Sequence, residues 1–193
     1  MPLPSLNSSG CMPPYLPGSS PQIKADMAPY ETTMAEMAQA FAHTPERVAI
    51  LRGLINFRNE LRNKGISGTQ WIAGSFLEDC EKQRARPPDD VDIVTFGYRP
   101  ASIQDDPSWL NFVNANKTIL FDRKAIKTAH SCDSFYVDMH LHPEILVSNS
   151  RYWFGLFSHQ RVTHIWKGIA SISLADDDQA ALNLFGGGTA NAP

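Results

Sequence analysis

The segment DVDIVTF, residues 90–96, constrains the fold more than any other stretch of this chain. It has the Val and Ile content of a buried strand, yet Asp90 and Asp92 stand two residues apart inside it. Side chains along a strand alternate between two faces, so these two aspartates share one face while Val91 and Ile93 share the other. The segment FYVDMHL, residues 135–141, repeats the conflict. There Phe135, Val137, Met139 and Leu141 lie on one face, and Tyr136, Asp138 and His140 on the opposite one. If the two strands are neighbours in a sheet, Asp90, Asp92 and Asp138 converge. Carboxylates gathered that closely repel one another unless a positive charge sits among them. Hard divalent cations supply that charge, since magnesium takes one or two carboxylates together with water and phosphate oxygens. Two such ions about 3.5–4 Å apart activate an attacking oxygen and stabilise a leaving one.

A third segment fits the same chemistry. In QWIAGSF, Gln70–Ala73 reads as a short strand, Gly74-Ser75 as a tight turn, and Phe76–Asp79 as one helical turn. Glycine lets a backbone approach a phosphate closely and serine donates a hydroxyl hydrogen bond. A helical turn starting there presents free N–H groups to an anion. Gly74 and Ser75 are therefore the candidate phosphate cradle, and Asp90, Asp92 and Asp138 the candidate metal ligands.

The rest of the chain divides readily. Residues 1–30 hold seven of the fourteen prolines and read as an extended proline-rich arm, with Tyr15 and Leu16 pinning it to the body. Residues 31–185 read as a single domain and 186–193, rich in glycine, as a flexible tail. A first helix is expected over 33–42. A second is marked by Thr44 as N-cap, Pro45 at its first position and Gly65 beyond its end. Its apolar stripe, Val48, Leu51, Leu54, Ile55, Phe57 and Leu61, suits a helix laid on a sheet. Residues 80–88 read as a loop, 108–129 as one helix, 168–174 as a strand and 177–185 as a short helix. The aromatic segment RYWFGLF, 151–157, has no clear pattern.

Composition narrows the function classes. With 193 residues there is room for one real core. No run of about 18 apolar residues is present, so no membrane partner is expected. The N-terminus lacks a basic-then-apolar signal pattern, and the three scattered cysteines suit reduced thiols, so the expected location is cytoplasmic. A net charge of −3 disfavours a protein devoted to gripping long nucleic acid.

An apolar residue followed by Gly-Ser, a spacer, then Asp-x-Asp among apolar residues, with a later strand aspartate, resembles the nucleotidyltransferase superfamily typified by DNA polymerase β. The matching residues are Gly74, Ser75, Asp90, Asp92 and Asp138, over about residues 45–142. The resemblance implies an α+β fold, a mixed β-sheet flanked by helices. It also implies two Mg²⁺ ions, replaceable by Mn²⁺, and transfer of a nucleoside monophosphate from an NTP to a hydroxyl. Asp138 is then the candidate general base. The acceptor is left open between protein, RNA, a small molecule and another nucleotide. The arm GCMPPYLPG and the late KGIASISL also resemble a family of short bacterial nucleotidyltransferase-like proteins, which implies a toxin–antitoxin or phage-defence setting. The chain departs from the superfamily in its spacer of fourteen residues between Ser75 and Asp90, and in having no helical substrate domain after the core. The alternative is a non-catalytic member that acts as an antitoxin-like interaction subunit with a protein partner.

Other residues carry weaker signals. His140 and His142 lack a third nitrogen or sulfur ligand for zinc. Lys117, Arg123, Lys124 and Lys127 read as a solvated helix face rather than a phosphate path. Lys82, Arg84 and Arg86 in the spacer either meet phosphate or stay in water. Trp153, Phe154 and Phe157 read as rings that seal the core rather than stack a base.

Overall fold

The computed structural model describes residues 3–103, 105–161 and 163–186; the tail expected over 186–193 lies almost wholly outside them. Five strands form one mixed sheet: β1 (Tyr30–Thr32), β2 (Ser67–Ala73), β3 (Val91–Tyr98), β4 (Cys132–Asp138) and β5 (Ala170–Ser173). Their spatial order is β1-β5-β2-β3-β4. The β1–β5 and β3–β4 pairs are parallel, while β2 runs antiparallel to both β3 and β5. Eight α-helices are present among the described residues, making the protein a mixed α+β fold.

The first two helices follow from local chemistry. In α1 (Met34–Phe41), Thr33 and Glu36 form a reciprocal capping box, and Met34, Met37, Ala38 and Phe41 are buried at helical spacing. In α2 (Pro45–Asn63), the Thr44 hydroxyl accepts from the Arg47 N–H, and Gly65, at φ +78°, ends the helix region. Its inner face buries Leu51, Leu54, Ile55 and Leu61, but also Arg47 and Arg58. Arg58 is fully satisfied: it donates to Asp178, to Gln70 Oε1 at 3.0 Å and to the Ser173 carbonyl at 2.8 Å. Gln70 in turn donates to Thr95. A buried polar chain thus ties α2 to β2, β3 and the end of β5.

Three expectations are corrected. Residues 80–88 contain a short helix, α3 (Cys80–Arg84), capped by Asp79. The single helix expected over 108–129 is three: α4 (Asp106–Ala115), α5 (Lys117–Phe121) and α6 (Arg123–His130). Asn116 and Asp122 interrupt it, and the Asp122 carboxylate caps α6 by accepting from the Ala125 N–H. Such side chains compete with the helical backbone for its own groups. Third, β4 begins three residues earlier than expected and ends at Asp138, because Ser131, in the left-handed region at φ 53°, closes α6 and releases the chain directly into the strand. His140 and His142 therefore lie in the turn after β4. The patternless aromatic segment belongs to α7 (Pro143–Phe157), and the chain ends its described part in α8 (Gln179–Gly186).

The N-terminal residues lie along this body. Gly168 donates to the Met12 carbonyl at 2.7 Å and Asp79 to that of Gly10 at 2.8 Å. Cys11 and Met12 are fully buried, Leu16 packs against the core, and the Tyr15 ring meets Trp166. Among the described residues no helix is long and apolar enough to cross a membrane.

Candidate functional site

The C-terminal end of β2 meets the N-terminal ends of β3 and β4, and there the site forms. Ala73 is the register partner of Asp92, and Asp92 is the partner of Asp133 in the parallel β3–β4 pair. Gly74 follows at φ +78°, and a Cβ built on it would fall 1.8 Å from Asp92 Oδ2. Only glycine permits this approach, so the turn and the carboxylate are in direct contact. Gly74–Leu77 then form a 3-10 turn, two residues earlier than the helical turn expected over 76–79.

Buried charges hold the turn from behind. Lys167, 3 % exposed, donates through Nζ to the Gly74 carbonyl at 2.9 Å and to Glu78 Oε1 at 2.5 Å. The opposite oxygen of Glu78 accepts from Arg84 at 2.6 Å and from Gln160 at 2.9 Å. Burial pushes the Glu78 carboxyl up, but Lys167, Gln160 and Arg84 outweigh it and hold the group below its usual range. Arg47, wholly buried, donates to the carbonyls of Phe76 at 2.7 Å and Glu78 at 2.6 Å and forks onto Glu81. Cys80 Sγ donates to the Ser75 carbonyl. The turn is a fixed object, not a loose loop.

Besides Glu78 and Asp89, three aspartates line the cleft beside the turn, and they are not quite the expected three. Asp90, Asp92 and Asp133 line one cleft together with Gly74 and Ser75. Burial, then the charges of Asp90 and Asp133, push the Asp92 carboxyl up to about 6. Asp138 is elsewhere. It pairs in register with Gly97, five residues along from the Asp92–Asp133 pair, or roughly 17 Å at strand rise. Five being odd, its side chain also leaves the opposite face of the sheet. There Arg99 grips one of its oxygens at 2.8 and 3.0 Å and His140 stands 3.3 Å from the other. The expected convergence of Asp138 with Asp90 and Asp92 is therefore corrected: the strand β4 carboxylate beside them is Asp133. Its signal was present in CDSFYVD, since a parallel neighbour of β3 must offer its first residues, not its last, to Asp92.

The cleft has a volume of about 890 Å³ and two kinds of wall. The acidic wall is partly neutralised by α6: Lys127 pairs with Asp90, and Arg123 forks onto Asp133 at 2.7 and 2.9 Å while its guanidinium lies 4.2 Å from the Phe135 ring centre. The same cleft is also lined by Arg84, Arg86, Arg161, His164 and Lys167. Lys82, Lys117 and Lys124 do not line the cleft. Of the late aromatics, Phe157 borders it, whereas Trp153 packs on Phe135 and Phe157. Among the described residues no group of three or more His, Cys, Asp or Glu side chains already stands as a ligand array. Asp90, Asp92 and Asp133 are carboxylate oxygen donors, the type hard cations prefer, and burial and its neighbours destabilise Asp92 as an anion.

A mixed α+β domain with an acidic cleft at the start of two parallel strands, backed by a glycine turn, is the class that fold and site define. The chain belongs to the family described as Family of unknown function (DUF6932), whose model matches residues 4–173. No curated protein and no solved structure matches it.

Proposed function

We propose that the protein is a magnesium-dependent nucleotidyltransferase, with Asp90, Asp92 and Asp133 as the residues that would hold the metal. One observation carries this reading: Asp92 and Asp133 are register partners, and the Gly74 turn touches Asp92 where a Cβ would otherwise sit. That is the resemblance drawn from the sequence, with Asp133 taking the part first given to Asp138. Bound magnesium would supply Lewis-acid polarisation of phosphate oxygens and charge neutralisation.

The chain's own groups do the rest. Gly74 and Ser75 receive the triphosphate of an NTP, with Arg161 of the cleft lining as its counter-charge. Asp133 accepts the proton of an acceptor hydroxyl. The acceptor oxygen bonds the α-phosphorus as the bond to the β-phosphate oxygen breaks, and pyrophosphate leaves. Alignment and fixed charge supply the rate gain. Such a reaction belongs where NTPs and reduced thiols are, in a cytoplasm, and Cys11, Cys80 and Cys132 are all free. A bacterial toxin–antitoxin or phage-defence setting remains part of the proposal on resemblance alone.

The test is incubation of the purified chain with each labelled NTP and Mg²⁺, with and without cellular RNA and protein. Wild type transfers label or releases pyrophosphate, and Asp92→Ala and Asp133→Ala do neither. One observation favours the non-catalytic alternative: Asp90 and Asp133 already have internal partners in Lys127 and Arg123. Silence of the wild type with every acceptor, together with a stable co-purifying protein, selects that reading instead.

A further inference from the structure

Helix α7 buries one face and leaves a second apolar face bare. Trp153 and Phe157 are buried, and Leu146 and Phe154 pack against the core. On the other side Ile145 is 48 % exposed, Tyr152 55 % and Leu156 49 %, and Leu141 in the preceding turn is 36 % exposed. At 3.6 residues per turn, Ile145, Ser148, Asn149, Tyr152 and Leu156 fall within an arc of about 100°. A contiguous apolar stripe on a helix asks for a partner.

The stripe is symmetric about the midpoint between residues 148 and 149. Ile145 and Tyr152 are equidistant from that point, as are Ser148 and Asn149, while Leu141 lies in the turn before the helix. Reversing the direction of the helix exchanges Ile145 with Tyr152 and Ser148 with Asn149 and so leaves the centre of the pattern unchanged. An antiparallel two-fold pairing of a helix with its own copy requires this property, because each residue i that meets j must also be met by it. Small Ser148 at the axis lets the backbones approach.

The charges obey the same symmetry. Glu144 and Arg151 both project on one flank of the stripe, about 100–120° from Ile145 in the same sense. A two-fold axis of this kind brings like flanks together, so Glu144 of one copy comes within two residues, about 3 Å along the axis, of Arg151 of the other. Both groups are available: both are exposed, and among the described residues Glu144 has only the exposed His142 at 3.9 Å and Arg151 has no hydrogen bond or ion pair. Glu144, Ile145, Ser148, Asn149, Arg151 and Tyr152 together line a shallow depression of about 420 Å³ that can receive a side chain.

The geometry points to a homodimer formed by antiparallel contact of α7 with α7 of a second copy. This does not depend on nucleotide transfer. It does place the second copy at the rim of the cleft, since Leu156 belongs to both the stripe and the cleft lining. One helix face is a small interface, so association in the micromolar range is expected.

Sedimentation velocity and light scattering of the purified chain over about 5–200 µM test this. Wild type passes from monomer to dimer across the series. Glu144→Arg and Arg151→Glu, each placing like charges together, weaken the dimer about tenfold or more, and the double exchange recovers most of the loss. Tyr152→Asp abolishes it, with circular dichroism confirming that each surface variant is folded. A monomer at the highest concentration overturns the inference. So does a dimer indifferent to the charge reversals, or one in which the double exchange adds the two losses.

Discussion

At one end of the β3–β4 pair Asp92 and Asp133 stand side by side with Asp90 nearby; at the other, Asp138 stands beside Gly97 with Arg99 and His140. Both ends hold partly buried carboxylates near cations. At the Asp138 end a single carboxylate meets a guanidinium that forks onto Asp106 as well and lies 5.2 Å from the Trp109 ring centre. Both carboxylates there are in direct contact with the same guanidinium. At the Asp92 end Asp92 has no ion-pair partner among the described residues, its carboxyl is pushed up to about 6, and a cleft opens. An arrangement that is destabilising for the fold and open to solvent is where function is to be sought. A satisfied ion pair is where structure is held.

Substitution breaks this comparison most sharply through activity. Asp92→Ala and Asp133→Ala are expected to lower pyrophosphate release from NTP by roughly 10³-fold or more, while Asp138→Ala changes it by less than about threefold. Equal losses at both ends would erase the distinction. Next in size is Lys167→Met, which leaves Glu78 with Arg84 and Gln160 but without its buried ammonium partner. It should cost about 3 kcal/mol in urea unfolding, and less when combined with Glu78→Gln.

Acidity sharpens the contrast further. Because the folded state raises Asp92 above its unfolded value, its ionisation opposes folding above about pH 6 and has no effect once pH falls below about 4. Asp92→Asn should therefore stabilise the metal-free protein by about 2 kcal/mol at pH 8 and by almost nothing at pH 4. Magnesium should raise the thermal midpoint of the wild type but not that of Asp92→Asn. The smallest effect belongs to the Asp138 end: Asp138→Asn, which leaves Arg99 with Asp106 as its anionic partner, should destabilise by about 1 kcal/mol with activity kept. A stabilised Asp138→Asn or a destabilised Asp92→Asn would reverse the assignment of the two ends.

Much of this was readable from local pattern. Thr33 and Thr44 announced their helices by capping chemistry, and Asp-x-Asp with the Gly-Ser turn marked four residues that the structure places on one cleft. Asp138 misled because it, too, sits in an apolar run, and period-two alternation says which residues share a face but not which strand ends adjoin. The three-residue error at the start of β4 hid Asp133 for the same reason. Arg47, Arg58 and Lys167 gave no sign of burial, since a charged residue on an otherwise apolar face reads as a boundary until its partners are known.

Alternation, capping and glycine placement are properties of neighbouring residues, and the chain declares them without folding. They determined that this protein has helices laid on a sheet, with a glycine turn and paired aspartates at strand ends. Strand direction and register are relations between distant segments, settled by how the whole core packs. Only that packing could bring Asp133, rather than Asp138, beside Asp92, and set Lys167 beneath Gly74, because parallel pairing aligns first residues with first residues.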